Sequence, residues 1–523
     1  MSAAILDRLS FGAQRADLHA LEKSGVQSWI ESQLHPTSDD PVLEQALDTA
    51  VLKINYGASA DYAALNENRP LNLLKQPLSE LWKLTDNQTK MAYEERIRPQ
   101  RELMASRLLH AAHSQWQIKE LMVDFWLDHF NVHAGDASVA VAMPSFERDA
   151  IRRHALGNFA DMLASVATST PMLIYLNNRN SRTGAPNENF ARELFELHTL
   201  GKQHYLNGLY AKWREVPGAL QGAPEGYIDQ DVYEAARAFT GWVIEDGRGL
   251  GGGQSLPRTG QFMYLDAWHD PYQKRILAQD FDPFAAPMSD GKRVLDMLVK
   301  HPGTAHHLCE KLCRRFVSDT PPASLVNASA KVWADNTRHP QQVARVLAHI
   351  FASGEFNQAV LQPTHRKLKR PLELVVSLVR KLELPLAPSM GLVNEMSSAG
   401  QRLYMWPTPD GHPDVSSYWL TPHTMRRRWM LAMGLLENWW GTGLVTPQQL
   451  SQGMSQPVNE NMLLANHAQR LLGEPAAQSV IRQILSAKGT TSHKNLLSST
   501  FDDWTNVRRN LAYIAMSPAF QWK

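Results

Sequence analysis

The segment Asn187-Glu-Asn-Phe-Ala-Arg-Glu-Leu-Phe-Glu-Leu-His-Thr-Leu-Gly201 carries three carboxylates, a guanidinium and an imidazole. On a helix advancing by about 100° per residue, Glu188, Arg192, Glu196 and Thr199 share one narrow stripe, while Phe190, Leu194 and Leu197 lie opposite. The chemistry this permits is proton transfer. A guanidinium keeps one carboxylate ionised, a second carboxyl holds a proton, and bond hydrolysis or elimination needs that division of labour. Glu188 and Glu196 are the candidate acid and base, and Glu193 and His198 complete the catalytic candidates on this segment. The bland alternative is an i,i+4 ion pair between Arg192 and Glu196 on a surface helix.

A second constellation, Trp126-Leu-Asp-His-Phe-Asn-Val-His133, continues an apolar helical stripe from Ile118 through His129 and His133. Two histidines four apart can hold one metal from adjacent turns, with a carboxylate completing the set. Such a site would make a divalent metal the cofactor, and His129, His133 and His269 are its candidate ligands. The competing reading is a pair of hydrogen-bonded core histidines. A third cluster, Trp268-His-Asp-Pro271 with Lys274, sits at a strand-to-loop transition, where Asp270 either orients a catalytic His269 or caps a turn. Trp242, Trp268, Trp406 and Trp419 lie in or near loops, where aromatic platforms suit sugar rings, although core packing is the commoner use.

The elements that must position these groups are helices. Apolar spacing of three and four runs through 12–35, 76–133, 145–176, 187–202, 229–241, 290–318, 324–352, 366–383, 421–439 and 457–487. The expected fold is mainly α, a large multi-helix globular fold with a small β-hairpin insertion near 240–270. In that insertion Thr240-Gly-Trp-Val-Ile-Glu and Gln261-Phe-Met-Tyr-Leu-Asp flank the glycine-rich 247–253. The glycines lack the Gly-Lys-Ser/Thr ending of a phosphate loop and read as a hairpin tip or lid. The chain divides into an N-terminal helical region (1–117), a core carrying the site (118–440) and C-terminal helices (441–523), expected to form one continuous domain. No internal repeat is evident.

With 523 residues, 43% hydrophobic and 20% charged, the chain can bury a large core. Lys plus Arg at 53 against Asp plus Glu at 52 leaves no footprint for nucleic acid. No apolar run approaches the roughly 20 residues of a membrane span. Cys309 and Cys313, four apart on a helical pattern, read as core thiols.

These motifs, in this order, resemble the bacterial family known as domain of unknown function 1800 over nearly the whole chain. The likeness runs from Leu6-Asp-Arg-Leu-Ser-Phe-Gly12 through Phe125-Trp-Leu-Asp-His-Phe130, Arg153-His-Ala-Leu-Gly-Asn-Phe159 and the acidic segment. It continues through Ala236-Arg-Ala-Phe-Thr-Gly-Trp242, His269-Asp-Pro, Lys311-Leu-Cys-Arg-Arg-Phe316, Lys369-Arg-Pro-Leu-Glu373 and Pro409-Asp-Gly. Leu127 stands where members often carry a histidine, so a paired-histidine metal site would have to recruit His133. The resemblance implies an exported protein, periplasmic or secreted, often encoded beside a sulfatase-like protein. The expected function is therefore acid/base chemistry on an extracellular polymer, a glycan foremost. The alternatives are a metal-dependent oxidoreductase or hydrolase, and a noncatalytic partner or chaperone of the sulfatase-like protein.

Overall fold

The computed structural model describes residues 2–37, 39–362, 366–455, 458–473, 476–488 and 501–523. It is mainly α, with small antiparallel hairpins. In chain order the elements that build the site region are strands β1 (Val51–Tyr56) and β2 (Leu65–Pro70), then helices α1 (Arg98–His113) and α2 (Gln117–His129). Next come α3 (Glu188–Glu193), α4 (Asp229–Ala238), β3 (Trp242–Asp246), β4 (Arg258–Tyr264), β5 (Lys274–Ile276) and β6 (Gln279–Phe281). Helices α5 (Pro302–Phe316), α6 (Pro371–Leu382) and α7 (Met390–Ser398) follow. Proline opens both α5 and α6, where its missing N–H costs nothing and its fixed φ suits the first turn.

The expected long helical stretches are broken where the backbone demands it. The 12–35 stretch divides at Gly25, and 76–133 resolves into short turns followed by α1 and α2. The expected hairpin is present, with Trp242 opposite Tyr264 and Ile244 opposite Phe262. Two further hairpins, β1–β2 and β5–β6, were not anticipated. Strand β2 reads Leu-Asn-Glu-Asn-Arg-Pro and is largely solvent-facing, so it carries no apolar alternation to announce it.

One buried apolar cluster draws on residues from Ile5 to Phe520. Each large side chain in it contributes about 1.5–3 kcal/mol, and a core of that size can offset the desolvation of charges inside the protein. Those charges are numerous. Glu120, Asp124 and Asp128 fall at i, i+4 and i+8 along α2, a stripe of carboxylates turned into the fold. Glu120 meets Arg107 of α1 at 3.0 Å and Arg152 at 2.5 Å, and Arg152 continues to Glu147 at 2.7 Å. Asp124 is held by Arg315 of α5 at 3.0 Å and by Arg370 just before α6, which also grips Asp128. Arg315 passes on to Glu373 at 2.9 Å, which Lys523 closes at 2.8 Å. The network ties α1, α2, α5 and α6 to the last residue of the chain. Cys309 and Cys313 are free and buried, and burial pushes the Cys313 thiol up to about 12, as inert core sulfur requires.

Candidate functional site

Three imidazoles and an amine meet where α2 ends. His129, the last residue of α2, is 1% exposed. Its Nε2 lies 3.1 Å from the carbonyl oxygen of His198, so this nitrogen must carry the proton and donate. Its Nδ1 is left to accept from Lys311 Nζ at 2.9 Å. Lys311 and His307 sit one turn apart on α5, and the His307 ring stands 6.3 Å from that of His129. His198 closes the group with its ring 6.1 Å from His129. Burial, reinforced by the nearby Lys311 charge, holds His198 and His307 neutral with pKa values of about 3, and drives His129 well below the ordinary histidine range. Burial also pulls the Lys311 ammonium down to about 8, opposed by Asp128 and Asp414.

Lys311 and His129 line a pocket of about 380 Å³. Its opposite wall is the 410–415 loop. Gly411 has φ +72°, and a Cβ there would collide with the carbonyl oxygen of Asp128, so only glycine lets the loop close on the end of α2. His412 then donates through Nδ1 to Asp128 at 2.7 Å and accepts at Nε2 from the Arg402 backbone N–H at 3.0 Å. With both ring nitrogens committed, His412 fixes the loop and has no lone pair left for a substrate. Against the cost of burial, Arg370 and then His412 hold the Asp128 carboxyl well below the usual carboxylate range. Five cationic side chains and three aspartates line the pocket; Arg314, Arg315 and Arg370 are paired with carboxylates, and among the described residues Lys202 and Lys311 are its cations without an ion-pair partner.

The acidic segment lies beside this pocket, in a form that regular helix geometry did not foresee. Asn187 caps α3 through the Asn189 N–H at 3.0 Å, and from Leu194 to His198 the helix is π-wound. The wider turn breaks the register after Glu193, so the stripe placing Glu188, Arg192, Glu196 and Thr199 together does not hold along its length. His198 is carried into the core against His129. Glu188 pairs with Arg192 at 3.1 Å and both are partly exposed, while Arg192 also approaches Asp229 at 3.7 Å. The expected partner of Arg192 was Glu196. Neither Glu188 nor Glu196 reaches His129, whose nitrogens are taken by the His198 carbonyl and Lys311. Glu193 is the perturbed carboxyl: burial, and then the charge of Glu196, push it up to about 7. It senses Asp410 of the pocket wall as well, and the two together raise the Tyr175 hydroxyl to about 12 after burial has its larger effect.

The other candidates lie elsewhere. Helix α2 ends at His129, so His133 is not on the next turn; it lines a different groove. His269 binds the Thr240 carbonyl at 3.0 Å and Asp290 at 3.4 Å. Asp270 does not orient His269; it takes Arg237 at 2.9 and 3.0 Å and caps the turn at Tyr272 N–H, 3.1 Å. His129, His133 and His269 thus have separate surroundings, and among the described residues no three His, Cys, Asp or Glu side chains gather to hold a metal ion. Trp242 and Trp419 are core residues, 1% exposed, and Trp268 lies under Arg182 and Arg248, each 5.6 Å from its ring. Trp242 and Trp419 therefore offer no open face to a sugar.

Lys311, His307, Asp128, Arg370 and His412 were not singled out by type or spacing. All but His307 and His412 lie inside motifs that carry the family resemblance, which was the available signal. No curated protein and no solved structure matches the chain. A family model described as "Protein of unknown function (DUF1800)" matches residues 4–522, and with that coverage the chain belongs to this family.

Proposed function

We propose that the chain is an acid/base enzyme that cleaves an anionic glycan by elimination, with Lys311 as base and Glu193 as acid. The observation that carries the reading is Lys311: an amine lining the pocket, 2.9 Å from a neutral imidazole and with its pKa drawn to about 8. As a free amine it keeps an N–H for His129 Nδ1 and a lone pair for substrate. The lone pair takes the proton from the carbon next to a sugar carboxylate, the C–H electrons form the new C=C, and the glycosidic C–O bond breaks. Glu193, held up to about 7, supplies the proton to the departing oxygen. The Lys202 cation of the lining favours a carboxylate-bearing chain and stabilises charge developing beside it. Glu188 and Glu196, the acid and base expected from spacing, become an ion-pair partner of Arg192 and the charge that keeps Glu193 protonated.

The test is turnover of polygalacturonate, alginate and chondroitin, read as ultraviolet absorbance of the unsaturated product. Lys311→Met and Glu193→Gln are each expected to lower kcat by about 100-fold or more with an unchanged Tm. The rate rises with pH as Lys311 loses its proton near 8 and falls as Glu193 loses its own near 7. The product of the two forms peaks between these values, with one-proton limbs on either side. New reducing ends without absorbance would replace elimination by hydrolysis. Loss of Tm in both variants would move the cluster to a structural role, as a noncatalytic partner protein would have it.

A further inference from the structure

A groove of about 1020 Å³ lies between β1, the start of α1 and α7. Three cations line it, Lys53, Arg101 and Arg402, and no aspartate or glutamate does. Among the described residues no carboxylate pairs with any of the three, whereas Glu395 on α7 is held elsewhere by Arg427 at 3.2 Å. His133 also faces the groove, and its Nδ1 is shut off from water with no hydrogen-bond partner among the described residues. Met104, Met390, Met405 and Trp440 supply an apolar, deformable stretch of wall, beside the amides Asn55, Asn68 and Gln100 and the hydroxyls of Ser389 and Ser397.

We propose that this groove binds a single-chain amphiphilic anion, an alkyl or aryl chain ending in a carboxylate, phosphate or sulfate. The chain lies on the methionines and Trp440, and the anionic end meets Arg101 and Arg402. Size and lining match ligand pockets in general, which join an apolar wall to a few converging polar groups. Unpaired guanidiniums are the groups best shaped for a forked anion. The groove is independent of the Lys311 pocket, since Lys53, Arg101, Arg402 and His133 line only the former.

Octyl phosphate, kept below its micelle-forming concentration, is the probe, followed by isothermal titration with the full chain. Saturable one-to-one binding is expected, with octanol and inorganic phosphate each at least about 10-fold weaker, because one lacks the charge and the other the chain. Arg101→Gln with Arg402→Gln is expected to weaken octyl phosphate at least about 10-fold while leaving Tm unchanged, as neither side chain supports an ion pair. Asn394→Asp, which adds a negative charge at the exposed lip, is expected to weaken it in the same direction without touching either arginine. Equal affinity for octanol, unchanged binding in both variants, or no saturable binding would each overturn the proposal.

Discussion

Replacing Arg370 with methionine is expected to cost about 3–5 kcal/mol of folding stability at neutral pH, because it removes the shared counter-charge of two inward carboxylates. Arg370 is 3% exposed and grips Asp124 and Asp128 at once. Asp124 retains Arg315 at 3.0 Å and Arg107 at 3.5 Å, but Asp128 keeps only His412, through its ring at 2.7 Å and its backbone N–H at 3.4 Å. The sign of the pH dependence follows. In the native protein the depressed Asp128 pKa contributes stability above the ordinary aspartate value and loses it as pH falls through the folded one. Without Arg370 only the part that His412 sustains remains, so the deficit is full at pH 7 and begins to shrink below the ordinary aspartate value. Guanidinium melts at pH 7 and pH 3 measure it. Adding Asp128→Asn should recover at least about 1 kcal/mol, since the two sites are in contact and their effects are not additive. A single variant within about 0.5 kcal/mol of the native protein at pH 7 would mean that the network contributes no net stability.

The same network shows what could be read from sequence and what could not. Helix periodicity, the cap at Asn187, the 242–264 hairpin and the core cysteines are local properties, and local spacing announces them. The carboxylates Glu120, Asp124 and Asp128 were legible as a stripe by the same rule. That the stripe turns inward was not, because its partners Arg107, Arg152, Arg315 and Arg370 come from four distant segments. The end of α2 is set by tertiary contacts too. The 404–408 loop captures the exit of the helix, with Asn131 donating to the Trp406 and Thr408 carbonyls and Ala134 N–H donating to Tyr404. Those bonds stop the helix at His129 and send His133 to another groove. The π-winding at 194–198 has no signature in a regular helical projection, and it alone decides that His198 faces His129. Lys311 is one lysine among many in the sequence; its depth in the fold gives it an accessible pKa.

Acidification is the second strong expectation, and His198 is where it can be isolated. Neither ring nitrogen of His198 has a hydrogen-bond partner among the described residues, and the ring is fully buried. It faces His129, His307 and Lys311, so protonation would place a cation among cationic or proton-rich neighbours. Its folded pKa of about 3 lies below the value of an unfolded histidine, so the unfolded chain binds the extra proton between roughly pH 6.5 and 3. Stability from this ring is therefore complete above that window and falls with pH inside it, by about 2 kcal/mol at pH 5. Glu102, Glu193 and Asp231, held up at about 6, 7 and 6, change in the opposite sense and mask part of the loss in the whole protein. The comparison that separates them is His198→Phe, which keeps a planar aromatic ring, one atom larger, and abandons no hydrogen bond. At pH 7.5 its Tm should equal or exceed that of the native chain. At pH 5 it should be more stable by about 2 kcal/mol, leaving the carboxyl contributions common to both proteins. Superimposable stability curves across that range would show that burial does not keep His198 neutral, and the electrostatic account of Lys311 would lose one of its supports.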